Sequence, residues 1–226
     1  MESAMHILTS FDEALNALRR EVLMMASLTE RSVANARKGL FERSDELCNS
    51  VIADDESIDQ LEKQVDEDGV AILTRFQPVA SDLRQIVSAM KVSNSLERVA
   101  DQAVNIARKS RKLNQLPVLP EVPLMEGMFD GATSMLRDSL QAYVIGDVIT
   151  ASAIKARDKV LDQLNASIGT KLTEIMAQNP TRIADYLNLI LISRHLERIG
   201  DHATNIAEDA VYSVAAEDIR HIKATP

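Results

Sequence analysis

The sequence predicts an all-α protein made of two tandem antiparallel three-helix bundles related by internal duplication. Apolar residues recur at steps of three and four over segments of roughly 20 to 35 residues, the mark of amphipathic helices. Proline, glycine and capping residues cut the chain into six such segments. A block of fifteen residues in the first half also returns 100 residues later in the second.

In the first segment, Leu8, Phe11, Leu15, Leu18, Val22, Met25, Val33, Ala36 and Leu40 form one helical stripe. Gly39 and Ser44 mark its end and the N-cap of the next helix. The second helix is predicted from Asp45 to Phe76, stopping at Gln77-Pro78, because the residue before a proline disfavours the helical region. Ser81 then serves as the expected cap of a third helix, with Asp82 in its first turn and an end near Asn114. Residues 115–123 read QLPVLPEVP, and three prolines in nine positions exclude a helix. A fourth helix is predicted over 124–145, a break at Gly146-Asp147, and a fifth helix over 147–178. Asn179-Pro180 ends that one, and a sixth follows over 181–213.

The pattern helix, helix, proline turn, helix therefore occurs twice. Residues 93–107 are SNSLERVADQAVNIA and residues 193–207 are SRHLERIGDHATNIA, identical at nine of fifteen positions. Pro78 corresponds to Pro180, and Asp59-Gln60-Leu61 to Asp162-Gln163-Leu164. The chain thus divides into a first bundle (1–114), a proline-rich linker (115–123), a second bundle (124–214) and a C-terminal tail (215–226). Long helices with short connections hide their stripes by packing as antiparallel bundles, placed side by side or end to end.

Composition agrees and narrows the function. Aromatics are 3% of 226 residues, with seven glycines and six prolines, which suits helices better than sheet. A net charge of −9 and the absence of tryptophan oppose nucleic-acid binding, since a phosphate backbone would be repelled and few rings could stack on bases. Cys48 stands alone, so neither an intrachain disulfide nor a cysteine zinc site can form; among Leu47, Val51 and Ile52 it reads as a buried thiol. Acids and arginines early in the chain do not fit a signal peptide, and no apolar run approaches a membrane span of about 20 residues. A cytoplasmic protein with no direct membrane insertion is the expectation.

The chemistry lies in the acids. At 100° per residue, Glu97 and Asp101 sit opposite the apolar stripe of Leu96, Val99, Ala103 and Ile106. Glu197 and Asp201 repeat this beside Leu196, Ile199, Ala203 and Ile206. The second helix adds Asp55, Asp59, Glu62 and Asp66 in one line. The fifth keeps only Asp158 and Asp162, with Asn165 and Gly169 at the other two places. Any single exposed acid is explained by solubility. Like charges at i,i+4, however, destabilise a helix by about 0.2–0.5 kcal/mol per pair, and here such pairs recur at matching places in both halves. Paired on outward faces with no cation nearby in sequence, they suit a hard cation held by oxygen: iron, manganese, magnesium or zinc.

Asn105 and Asn205, one turn on, could orient a carboxylate or a water, or be ordinary surface amides. None of His6, His195, His202 and His221 forms the Glu-x-x-His pattern of di-iron bundles, and His202 reads as a free surface histidine. Arg108, Lys109, Arg111 and Lys112 complement the C-terminal dipole of the third helix, and could also dock an acidic partner or anion. No phosphate loop or nucleophile–base signature is present. A carboxylate-bridged di-metal oxidase or hydrolase, and a purely structural coiled-coil scaffold, are the rival readings.

LERVAD-x-x-x-NIA and LERIGD-x-x-x-NIA resemble the paired signature of the PhoU family, as do QPVASDLR (77–84), DDESIDQLE (54–62) and EDIRHI (217–222). The resemblance spans nearly the whole chain. It implies two three-helix bundles whose Glu/Asp-x-x-x-Asp motifs hold metal ions, here Glu97, Asp101, Glu197 and Asp201, with Asp55, Asp59, Asp158 and Asp162 facing them. It also implies a non-enzymatic negative regulator of phosphate uptake and of the phosphate-starvation regulon. Such a protein links the ATP-binding subunit of a phosphate ABC importer to a sensor histidine kinase, and commonly forms a homodimer. Helix five lacks two acids of the matching line, so the second site would hold fewer ions. Ala100 in place of Gly200 would change how closely a neighbour packs.

Overall fold

The computed structural model describes residues 2–219, with side chains from residue 9 onward. Six long helices account for nearly all of it: α1 (Glu2–Phe41), α2 (Asp45–Phe76), α3 (Ala80–Asn114), α4 (Glu126–Ile145), α5 (Val148–Gln178) and α6 (Ile183–Ala215). No strand occurs among the described residues. Short 3-10 turns at Val122–Met125 and Pro180–Arg182 lead into α4 and α6. Two of the quoted segments, the end of EDIRHI and the tail beyond it, lie outside the described residues, as do His221 and the His6 side chain.

Local chemistry accounts for most boundaries. Ser44 caps α2, its hydroxyl accepting from the Leu47 amide at 3.2 Å. Asp147 caps α5, with Oδ1 accepting from Ile149 and Thr150 at 3.0 and 3.1 Å. Gly146, at φ 72°, supplies the left-handed end of α4 that a glycine tolerates without cost. Two expectations need correction. Ser81 does not cap α3: the N-cap is Val79, without a side-chain bond, because the proline turn starts the helix at Ala80. Gly39 does not end α1 either. It lies inside the helix, where an added Cβ would sit 2.5 Å from Cys48 Sγ, while Arg43 takes the left-handed turn at φ 55°. Arg43 then donates to the carbonyls of Asn114 and Leu116 at 2.6 Å, tying the first corner to the linker.

Helices α1, α2 and α3 pack on one another, as do α4, α5 and α6. The two groups stand side by side through a long seam in which α3 runs against α6, reinforced where α1 meets α4. Predicted stripe residues are buried: Leu18, Val22 and Met25 of α1, Ile58 and Val65 of α2, Leu96 and Ile106 of α3, Leu196 and Ile206 of α6. Cys48 is fully buried. Across the seam, His195 Nδ1 lies 2.8 Å from Gln102 Oε1, and Lys91 Nζ lies 3.3 Å from Asp209. His202 is half-buried there rather than free on the surface; burial, then Arg98 and Arg198, hold its pKa below the usual value. No helix among the described residues is long and apolar enough to cross a membrane.

Candidate metal sites between paired helices

Each half of the molecule brings the acids of its middle helix against those of its last. In the first half, α2 presents Asp55, Asp59 and Glu62 to Glu97 and Asp101 of α3. Burial raises the Asp55 pKa, followed by repulsion from Asp59 and from Asp101 across the helix pair. Glu97 is pushed up to about 7, chiefly by burial and then by Asp101, with Glu62 and Asp59 adding to it. A carboxylate so displaced sits among charges that water no longer screens.

The second half repeats the arrangement with fewer acids. Oxygen atoms of Asp158, Asp162 and Asp201 come within 4.8 Å of one another. Asp158 is pushed up to about 6 by burial, then by Asp201 and Asp162. Burial, Asp201 and Asp162 raise Glu197, and burial and Asp162 raise Asp201. Where α2 has Glu62, α5 has Asn165, whose carbonyl accepts from the Ser193 hydroxyl at 2.7 Å and leaves no charge to contribute. Gly169 faces open space.

Two corrections follow. Glu97 was expected on an outward face, yet it keeps only 17% of its side chain exposed, and Asp158, in the line beside the apolar stripe, is half-buried, while Asp201 is exposed as expected. Counting degrees on one helix cannot see the neighbour that α2 or α5 lays alongside. A cation is also close in sequence: Arg98 Nε stands 3.2 Å from Glu97 Oε2, out of hydrogen-bond alignment, and Arg98 Nη1 3.6 Å from Asp101. Sequence reasoning passed over Arg98 because it read the motif for its acids. Glu62 lay in the acidic line of the second helix but outside the expected ligand set; its position one turn from Asp59 was the available signal. Asp66 is exposed.

The donor sets fit a hard cation. All ligands on offer are carboxylate oxygens; Glu97 Oε2 and Asp158 Oδ1 are buried without a well-aligned hydrogen bond, Arg98 standing beside the first and Thr204 beside the second. Buried charged oxygens are costly unless paired, and a bound cation would pair them. Asp55, Asp59, Glu62, Glu97 and Asp101 would hold it in the first site, and Asp158, Asp162, Glu197 and Asp201 in the second.

Close packing of α5 on α6 depends on Gly200. A Cβ there would lie 2.5 Å from Leu161 Cδ2 and 3.5 Å from Asp158 Oδ1, whereas the matching Ala100 is accommodated at 1% exposure. Gly200→Leu is therefore expected to destabilise the fold by about 1–3 kcal/mol through overpacking. It should also weaken metal binding in the second half alone, which urea unfolding with a metal titration would read.

The fold and its duplication recur in known proteins. The sequence pattern described as the PhoU domain matches twice, over residues 22–110 and 125–210. A phosphate-specific transport system accessory protein PhoU homolog of Pseudomonas putida is 37% identical over 218 residues, covering 96% of this chain and 85% of the relative. That of Pseudomonas aeruginosa is 35% identical, covering 97% and 91%. The crystal structure of PhoU from Pseudomonas aeruginosa superposes with a TM-score of 0.89 at 34% identity, covering 92% of this chain and 100% of that one. The phosphate transport system regulatory protein PhoU from Streptococcus pneumoniae superposes at 0.84 with 26% identity, covering 92% and 98%.

Proposed function

The chain belongs to the PhoU family, and on that premise we propose that it is a metal-binding negative regulator of phosphate uptake. It restrains a phosphate ABC importer and represses the phosphate-starvation regulon. It does so as a cytoplasmic adaptor between the importer's ATP-binding subunit and a sensor histidine kinase, not as an enzyme. The relatives, named as accessory proteins of phosphate transport, match over nearly their full length, which supports the transport role. The observation that carries the metal role is the meeting of Asp158 and Asp162 of α5 with Asp201 of α6, their oxygens within 4.8 Å of one another. In the first half the support is the mutual repulsion of Asp55, Asp59, Glu97 and Asp101 across α2 and α3.

Physical chemistry links the two roles. Without a cation, each acidic site pushes its two helices apart; with one, the same carboxylates clamp them. The clamp fixes α3 and α6, the two helices that pack on each other along the seam. Deleting the gene in its own host tests the regulatory role. Phosphate uptake and a phosphate-starvation reporter should rise in phosphate-rich medium and return to normal on complementation. An unchanged reporter and unchanged uptake would sink the reading.

A further inference from the structure

Beside the acidic sites, the open face of the α3–α6 seam carries a different surface. On α6, Ile183, Leu187 and Leu191 are exposed at 41, 44 and 39%, three aliphatic side chains set four residues apart on one stripe. The stripe continues as exposed Arg194 and Arg198. The neighbouring helix runs the opposite way: Gln102 meets His195 and Lys91 meets Asp209, so the register brings Lys109 beside Leu191. Electrostatics supports that placement. His195 is driven down to about 4 by burial and then by Lys109, Arg198 and Arg194. Lys109 is in turn lowered by burial and by Lys112. Among the described residues, no ion pair within 4 Å holds Lys109, Lys112, Arg194 or Arg198. In a chain of net charge −9, four cations gather at this end of the seam, with Glu197 and Asp201 of the second acidic site beginning beyond them.

We infer that the apolar stripe Ile183–Leu187–Leu191, flanked by Lys109, Arg194 and Arg198, docks an acidic amphipathic helix of a partner protein. The two halves of the surface select it together. Aliphatic residues at i, i+4 and i+8 match the apolar face of a helix laid along them. Unpaired cations on the flank match acids beside that face and would steer its approach. Nucleic acid would gain nothing from the aliphatic stripe. The inference rests on the adaptor reading in that it names the surface through which the adaptor engages a partner.

The test uses the full chain and two labelled synthetic helical peptides with the same leucine stripe, one on a glutamate background and one on lysine, followed by fluorescence anisotropy. The glutamate peptide should bind, more weakly as salt rises, and the lysine peptide should not compete for the same site. Leu187→Asp with Leu191→Asp, and separately Arg194→Glu with Arg198→Glu, should each cost roughly tenfold or more in affinity. These residues are exposed, and circular dichroism of each variant checks that it remains helical. No binding of the glutamate peptide, or binding by either variant as tight as by the wild type, overturns the inference. So does a stripe that instead binds phosphatidylglycerol vesicles, or that mediates self-association lost in the leucine variant. None of these arms involves phosphate or metal. A docked peptide with no effect of gene deletion on uptake would remove the phosphate reading and leave the surface standing.

Discussion

Glu97→Gln is expected to stabilise the metal-free protein and to destabilise the metal-loaded one. In the folded chain the Glu97 pKa rises from 4.5 to about 7, chiefly because the group is buried and then because Asp101, Glu62 and Asp59 surround it. A raised folded pKa means that the native state binds the proton more tightly than the unfolded chain. The associated stability is fully present below about pH 4.5 and is lost as pH rises through about 7. Asp158, raised from 3.8 to about 6, adds the same sign of effect over its own interval. Metal-free protein should therefore unfold at lower temperature at pH 8 than at pH 5, and glutamine at position 97 should flatten that slope. With metal the sign reverses. A cation at one hundred times its dissociation constant stabilises by about 2.7 kcal/mol, roughly 5–10 °C for a chain of this size. The variant should forfeit most of the first site's share. Thermal unfolding across pH, with chelator and with saturating metal, reads both effects. A variant with the same slope as wild type in chelator would remove Glu97 from the strained cluster.

Phe129→Ala is expected to be the most destabilising single truncation, because it empties the place where the two bundles meet. Phe129 of α4 is fully buried and stands edge-on to Phe41 of α1, with ring centroids 5.8 Å apart. The Arg37 guanidinium lies 6.0 Å from the Phe129 ring centroid and pairs with Asp130 at 2.5 Å. Truncating a buried phenylalanine costs about 3–5 kcal/mol through lost transfer free energy and the cavity left behind. The Arg37–Asp130 pair is exposed enough that its loss would cost about 1 kcal/mol at most. Chemical denaturation of Phe129→Ala and Asp130→Ala separates them. A loss below 1 kcal/mol in the first would mean that this contact does not hold the halves together.

Much of this architecture was legible in the sequence because its signals are local. Ser44, Gly146, Asp147, Pro78 and Pro180 act within a few residues of themselves, and the helices they bound fall close to the expected places. The duplication was legible because two copies of one block need only be compared. What the sequence left open was relational. Whether the bundles lie side by side or end to end depends on the α3–α6 seam, which is built from residues such as Gln102 and His195 that look like surface polar groups when counted on one helix. The half-burial of Glu97 and Asp158 escaped for the same reason: the apolar stripe identifies the core, and the second neighbour of a helix leaves no periodic mark. Gly200 was read as a packing position, and the structure names what it packs against, Leu161.

The central claim is that carboxylates from paired helices hold metal in both halves of the chain. The most direct measurement is the metal content of the purified protein by inductively coupled plasma mass spectrometry, beside a variant with Glu97→Gln, Asp101→Asn, Glu197→Gln and Asp201→Asn. The account predicts stoichiometric iron, manganese, magnesium or zinc in the wild type and its loss in the variant, with helicity by circular dichroism unchanged. Equal metal in both proteins, or none in the wild type even after reconstitution, would contradict it and would leave the acidic faces as surfaces for docking protein.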